Sequence, residues 1–306
     1  MDMKGETGAG IRPVVATERT FEMVPRGQST RYIAWRTFRK HPAGMAGLIG
    51  LLLLILVALL APVLSPYDPV EMDFERLLAP PDADHWFGTD DVGRDILSRT
   101  IWGGRETLRV ALLSIIIALT GGVVVGLVSG FYGGVVDNVI QRLVEITMAF
   151  PTILLLLSIV AALGPGLRTI LVAIGMSSIP AYARLVRGSV LSARCCEYVT
   201  AAQVIGANNR RIMFRHILPN IVAPVIIYGT VGLGSAVLMT AGLSYIGLCA
   251  KPPSPEWGAM LNYGRTYMRE AWWMSVFPGV AIFLAVLTVN LLGDGLRDAL
   301  DPRLRH

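Results

Sequence analysis

The chain has 306 residues, of which 53% are hydrophobic and only 16% charged, with a formal net charge of +5. A soluble domain carries about 25% charged residues, so the composition excludes an ordinary water-soluble globule and predicts an all-α integral membrane protein. The basic residues flank apolar runs instead of forming one stripe, which argues for the lipid bilayer and against nucleic acid as a partner.

Residues 1–42 read as a cytoplasmic N-terminal tail. Its first thirty residues are polar, rich in Gly and Thr and without apolar periodicity, which predicts partial disorder. The tail carries Arg26, Arg31, Arg36, Arg39 and Lys40 ahead of the first apolar run, Ala43 to Leu64. That run is uncharged over 22 residues. It is about 33 Å long as a helix, enough to cross a ~30 Å hydrocarbon core. Starting this far into the chain, it reads as an uncleaved first span. Residues 65–106 hold ten acids and four arginines and read as an external loop.

The core, residues 107–297, supplies five further spans. Val110 to Phe131 and Ile146 to Gly164 are uncharged, and a weaker run, Leu167 to Val186, is diluted by Ser177, Ser178 and Pro180. Ile217 to Ala250 has no charge over 34 positions. At about 51 Å it is too long for one untilted span, so it divides into Pro219–Met239 and a re-entrant or kinked piece through Gly242 and Gly247. The last run is Ala271 to Leu292, which makes six spans. Arg184, Arg187, Arg194, Arg210, Arg211 and Arg215 against Glu197, and Arg297, Arg303 and Arg305 in the last segment, set the orientation. They place both termini, the 188–216 loop and the 298–306 tail in cytoplasm, with the acidic 65–106 loop outside. Gly121, Gly122, Gly126 and Gly130, and Gly229, Gly232 and Gly234, give small-residue stripes that let helices approach closely.

The chemistry of catalysis is missing. The three lysines, Lys4, Lys40 and Lys251, follow no glycine, so no phosphate-cradling Gly-Lys-Ser/Thr loop exists and any ATP is bound by another chain. His41, His85, His216 and His306 are dispersed, and no Gly-x-Ser-x-Gly elbow occurs. Cys195, Cys196 and Cys249 give neither a disulfide framework nor a zinc spacing. Asp90, Asp91 and Asp95 read as solvated or helix-capping carboxylates. No ionisable residue sits near a span centre, which argues against a proton-coupled secondary transporter.

The segment from Gly188 to His216 carries the most information. Leu191, Cys195, Tyr198, Val199 and Ala202 recur at helical spacing, and Val204 and Ile205 lead into a break at Gly206, Ala207 and Asn208. A second amphipathic piece sets Ile212, Met213 and Ile217 against Arg210, Arg211 and Arg215, and Pro219 opens the next span. Two readings fit: a surface linker on lipid headgroups, or a rigid helix–turn–helix that docks in a partner's groove.

Thr200-Ala201-Ala202 followed by Gly206, and then His216-Ile217-Leu218-Pro219, resembles the Glu-Ala-Ala loop of binding-protein-dependent ABC importer permeases. Further similarity lies in His85 to Asp95, Ile179 to Arg187, Pro253 to Gly258 and Asn290 to Pro302. Over residues 31–303 the chain is similar to the C-type permease of the dipeptide, oligopeptide, glutathione and nickel group. The family's loop glutamate is Thr200 here, which removes a salt bridge from that position. The resemblance implies a six-span type I permease bundle in the bacterial plasma (inner) membrane. It implies a second (B-type) permease, two ATP-binding subunits that carry ATP and Mg, and an external solute-binding protein. This chain itself would have no catalytic, cofactor or metal site. The coupling loop would comprise Thr200, Ala201, Ala202, Gly206, Ala207, Asn208, Arg210, Arg211, Arg215, His216 and Pro219. Outer loop or gate candidates are Trp86, Phe87, Gly88, Asp90, Asp91, Arg94, Asp95, Glu256 and Trp257. The implied cargo is a di- or oligopeptide or glutathione. Nickel is the alternative within the family, and no span holds a histidine to ligate it. A stand-alone channel or uniporter is the alternative from another class.

Overall fold

The computed structural model describes residues 30–248 and 253–300. The order of the first 29 residues, Cys249 and the last arginines of the tail lie outside the described residues. A short helix, α1 (Thr30–Lys40), leads into α2 (Pro42–Leu59) and a one-turn α3 (Ala61–Leu64). His41 starts α2, its Nδ1 accepting the Gly44 N–H at 3.0 Å, with Pro42 at the first helical position where its missing N–H costs nothing. Residues 65–95 are turns and loops; then α4 runs from Ile96 to Tyr132, 37 residues. It is followed by α5 (Gly134–Ala149), α6 (Thr152–Leu163) and α7 (Leu167–Arg194). Next come α8 (Glu197–Val204), a three-residue α9 (Asn209–Arg211), a π-helical turn (Ile212–Ile217) and α10 (Leu218–Tyr245). The chain ends with α11 (Trp257–Gly264), a 3-10 turn (Arg265–Tyr267) and α12 (Trp273–Leu300).

Helix packing sets the topology. α4 and α7 run parallel: Gly122 lies on Tyr182, Gly126 on Ala183 and Gly130 on Val190, so both registers advance together. A Cβ at any of these three glycines would collide with α7. α10 runs antiparallel to both, with Gly229 on Leu119 and Gly232 on Ile115. α12 returns along α10 through Gly293 and Val231, and α2 along α12, where Gly44 faces Gly295. One cluster, including Ala111, Ala118, Ile170, Val237 and Ala285, fills the bundle. A second, around Leu127, Val186, Val190, Ile212 and Ile217, fills the end that carries Gly206.

Among the described residues, five helices, counting Asn209–Tyr245 as one, are long and apolar enough to span a membrane, and a bent pair makes a sixth. That pair corrects the straight third span expected over Ile146 to Gly164. α5 and α6 meet at 90° across Phe150 and Pro151, because a proline pushes the residue before it out of the α region and Phe150 is extended at ψ 134. The loop expected over residues 65–106 also stops short of residue 106: Asp95 caps α4 and the helix begins at Ile96. The first span ends at Leu59 as a continuous helix, with 61–64 as a separate turn.

The helix from Asn209 to Tyr245 passes through Pro219 without starting there and continues past Met239. The widened turn before Pro219 accommodates a ring that would press on a carbonyl in a regular helix. Leu218 N–H reaches back to Met213 O, and Asn220 Nδ2 donates to the His216 carbonyl at 2.6 Å. The piece through Gly242 and Gly247 is the end of this helix and a turn. In α7, Pro180 is tolerated inside a continuous helix, with the Ser177 and Ser178 hydroxyls both donating to Ile174 O.

Candidate functional site: a rigid turn and a packed lid

The two ends of the bundle hold the two groups of candidate residues. At one end, α8 stops at Gly206, which adopts φ +78. Ala207 N–H bonds Ala202 O and Gly206 N–H bonds Gln203 O, both at 3.0 Å, closing the left-handed helix cap that favours glycine. Two residues on, Asn208 Oδ1 accepts the Arg211 N–H at 2.8 Å and opens the next helix. Val199, Ala202, Ile212, Met213 and Ile217 are buried against Leu127, Phe131, Val186 and Val190 of α4 and α7. The base of the turn is therefore part of the bundle. Thr200, Ala201, Gly206, Asn208, Arg210, Arg211, Arg215 and Pro219 are exposed, Ala207 and His216 half-buried, and Ala202 buried.

The tip carries two residues that the sequence showed only as the lead-in to the turn. Val204 and Ile205 are 82% and 83% exposed. Neither fits the amphipathic pattern of α8, and an unpatterned apolar pair next to a helix-ending glycine was the available signal. Phe214, on the π-helical turn, is also exposed, at 59%.

At the other end, residues 65–99 and 253–273 pack into a lid. Arg99 is 3% exposed and bridges it: Nη1 donates to Pro69 O at 2.8 Å and Pro253 O at 3.3 Å, and Nη2 to Ser254 O at 3.4 Å. Asp90 pairs with Arg94 Nε at 2.7 Å and lies 3.7 Å from Arg99 Nε. Asp95 holds His85 Nδ1 at 3.0 Å and caps α4 through the Ser98 N–H at 2.7 Å. Glu256, fully buried, accepts from Gly258 N, Ala259 N and Thr107 Oγ1. Burial pushes its carboxyl above the usual carboxylate range, against the pull of those donors. Trp257 Nε1 donates to Thr100 O at 2.7 Å and Trp273 Nε1 to Thr89 O at 3.0 Å, with Trp273 packed over Gly88.

The structure thus brings the outer candidates together, but turns most of them inward. Asp90, Arg94, Asp95, Glu256 and Trp257 are buried, Asp91 is half-buried, and Phe87 is stacked on Phe277 at 3.9 Å. Only Trp86 of this set, 69% exposed, stands out from the surface. Asp95 is the helix cap that its loop context predicts, whereas Asp90 sits in a buried ion pair and not in solvent.

Between the ends, α4, α6, α7 and α10 line an open-sided cavity of about 350 Å³. Ser177, Ser178, Tyr182, Tyr228 and Ser235 line it with hydroxyls among apolar side chains, and among the described residues none of the lining is charged.

A multi-span helical bundle with a rigid turn at one end and a packed lid at the other has the type I ABC importer permease fold. It superposes on an inward-facing methionine ABC transporter chain with a TM-score of 0.51 at 20% identity, covering 67% of this chain and 97% of that one. The particular family follows from sequence: the chain belongs to the binding-protein-dependent transport system inner membrane components, which it matches over residues 122–306. Residues 29–81 match the N-terminal transmembrane domain of oligopeptide transport permease C. The chain is 44% identical to a dipeptide transport system permease of Alkalihalophilus pseudofirmus, covering 92% of this chain and 94% of the relative. It is 45% identical to a glutathione transport system permease of Pectobacterium atrosepticum, covering 89% and 90%. A di/tripeptide permease of Pseudomonas aeruginosa is 44% identical, covering 89% and 92%.

Proposed function

We propose that this chain is the non-catalytic membrane subunit of an ATP-driven importer of di- and oligopeptides, glutathione among them. A second permease completes the passage, two ATP-binding subunits carry ATP and Mg, and an external solute-binding protein delivers the cargo. The termini and the Gly206 turn face the cytoplasm, and the lid faces outward. One observation carries the coupling role: a turn whose base is fused to the core of α4 and α7 presents Val204 and Ile205 almost fully to solvent. An apolar tip on a stiff base suits a groove on a partner, and a turn fused to two long helices passes on whatever motion the partner imposes. The charge-free, hydroxyl-lined cavity supports peptide cargo over nickel, since it offers neither imidazole nor thiolate. The relatives named for dipeptide, di/tripeptide and glutathione transport support the same choice.

The test is Gly206→Asn. Asparagine tolerates positive φ, and a Cβ there meets nothing within 4 Å in this chain. The bundle should keep its thermal stability while ATP-driven uptake of a labelled dipeptide falls at least about tenfold, equivalent to ~1.4 kcal/mol. Uptake equal to the unmutated complex would remove the docking role. Uptake by the chain without any ATPase would favour a channel.

A further inference from the structure

The α5–α6 arm is attached to the bundle in an unusual way. α4 passes into α5 through Gly133 and Gly134, the latter the first residue of α5, both at positive φ (+67 and +53), and a Cβ on Gly134 would meet nothing within 4 Å. α5 buries only Asp137 and Val144. Its apolar residues face away, with Val135, Val139, Leu143 and Ile146 between 52% and 78% exposed. Besides the buried Val144 and half-buried Ile140, what fixes α5 is polar. Asp137 accepts from both Nε (2.6 Å) and Nη2 (2.5 Å) of Arg187 on α7, a two-pronged carboxylate–guanidinium pair. Ser129 of α4 donates to the same carboxylate, and Gln141 Nε2, one turn along α5, donates to Ser129 Oγ at 2.9 Å.

Each end of this connection leads somewhere. Arg187 lies two turns before Arg194, where α7 ends and the α8 turn begins. Beyond the 90° bend, α6 puts Thr152 and Leu156 into the cavity wall. The geometry points to Asp137 and Arg187 as a mechanical tie, a pair of positioning residues. The tie makes the α5–α6 arm follow α7, so that displacement of the Gly206 turn moves the cavity wall. A fixed ion pair transmits such motion because a forked pair resists both sliding and rotation, whereas the two-glycine link alone lets α5 swing. This role rests on the coupling reading above and adds the route by which the turn reaches the cavity.

The test uses the complete transporter in proteoliposomes, measuring both peptide uptake and ATP hydrolysis. Asp137→Asn and Arg187→Gln should each lower the number of peptides moved per ATP hydrolysed by about tenfold, within the usual range for coupling between sites. The exchanged pair, Asp137→Arg with Arg187→Asp, should recover most of that ratio. A merely structural pair would lower the amount of assembled complex and leave the ratio unchanged. An unchanged ratio in both single variants, or an exchanged pair no better than either, would overturn the tie. If the singles fail to assemble, Arg187→Lys, which keeps the charge and loses the fork, gives the same readout at smaller amplitude. Failure of the coupling reading itself looks different: the unmutated chain would neither retain an ATPase nor require ATP.

Discussion

The lid and the Gly206 turn are both connections between membrane helices, yet they spend their residues in opposite ways. The lid is rich in charge and buries part of it: Asp90, Arg94, Asp95, Arg99 and Glu256 are all inside, each with hydrogen-bond partners. The turn is built on apolar residues and exposes two of them at its tip, Val204 and Ile205. Buried charge is costly to disturb, because removing one partner strands the other. An exposed apolar tip costs the isolated chain little and becomes useful only against a second surface. The lid is therefore organised to hold one shape and the turn to be gripped.

That contrast can be broken in measurable steps. The largest effect on stability should come from Arg99→Ala, which leaves three carbonyls without their donor. A loss of about 3–5 kcal/mol is expected, read as a fall in the unfolding midpoint of the purified protein in detergent; an unchanged midpoint would show that the lid is held by packing alone. Replacing Val204 and Ile205 together by Ser should change unfolding by less than about 0.5 kcal/mol. The same change should weaken retention of the ATPase subunits about tenfold or more in a pull-down, as truncation of interface anchors does. Equal losses in both assays would erase the distinction between the two regions.

The smallest effect is a pH dependence of the lid. Because burial raises the Glu256 carboxyl, its neutral form fits the site. The stabilisation is complete below the ordinary carboxylate value, about 4.3, and is lost as pH rises through the raised value. Glu256→Gln should flatten the dependence of lid unfolding on pH while keeping one acceptor oxygen for the Gly258 or Ala259 N–H. A slope identical to that of the unmutated chain would assign the titration to another group.

Much of this was legible in the chain itself. Uncharged runs such as Val110 to Phe131 have one stable environment, a lipid-filled one, so the spanning helices follow from composition and length. Gly206 followed by Asn208 marks a helix end and a helix start by local chemistry alone, and the structure shows both caps at those residues. The resemblance to a permease family was likewise carried by short motifs, and the family match bears it out.

What the sequence could not decide depends on neighbours distant in the chain. The bend at Phe150 and Pro151 falls inside an apolar run, where hydropathy is blind to direction. The start of α4 at Ile96 is hidden because Arg99, Arg105 and Glu106 look like loop residues until the lid folds over Arg99 and gives it three carbonyls. The pairing of Asp137 with Arg187 joins positions 50 residues apart, and only the parallel packing of α4 and α7 on their glycine seam brings α5 within reach. Local propensity and hydrophobicity act within a few residues, so they determine which segments are helical and which enter the membrane. Charge satisfaction and close packing act between segments, so the tertiary structure alone decides which side chains are inside, which are offered to a partner, and which helices move together.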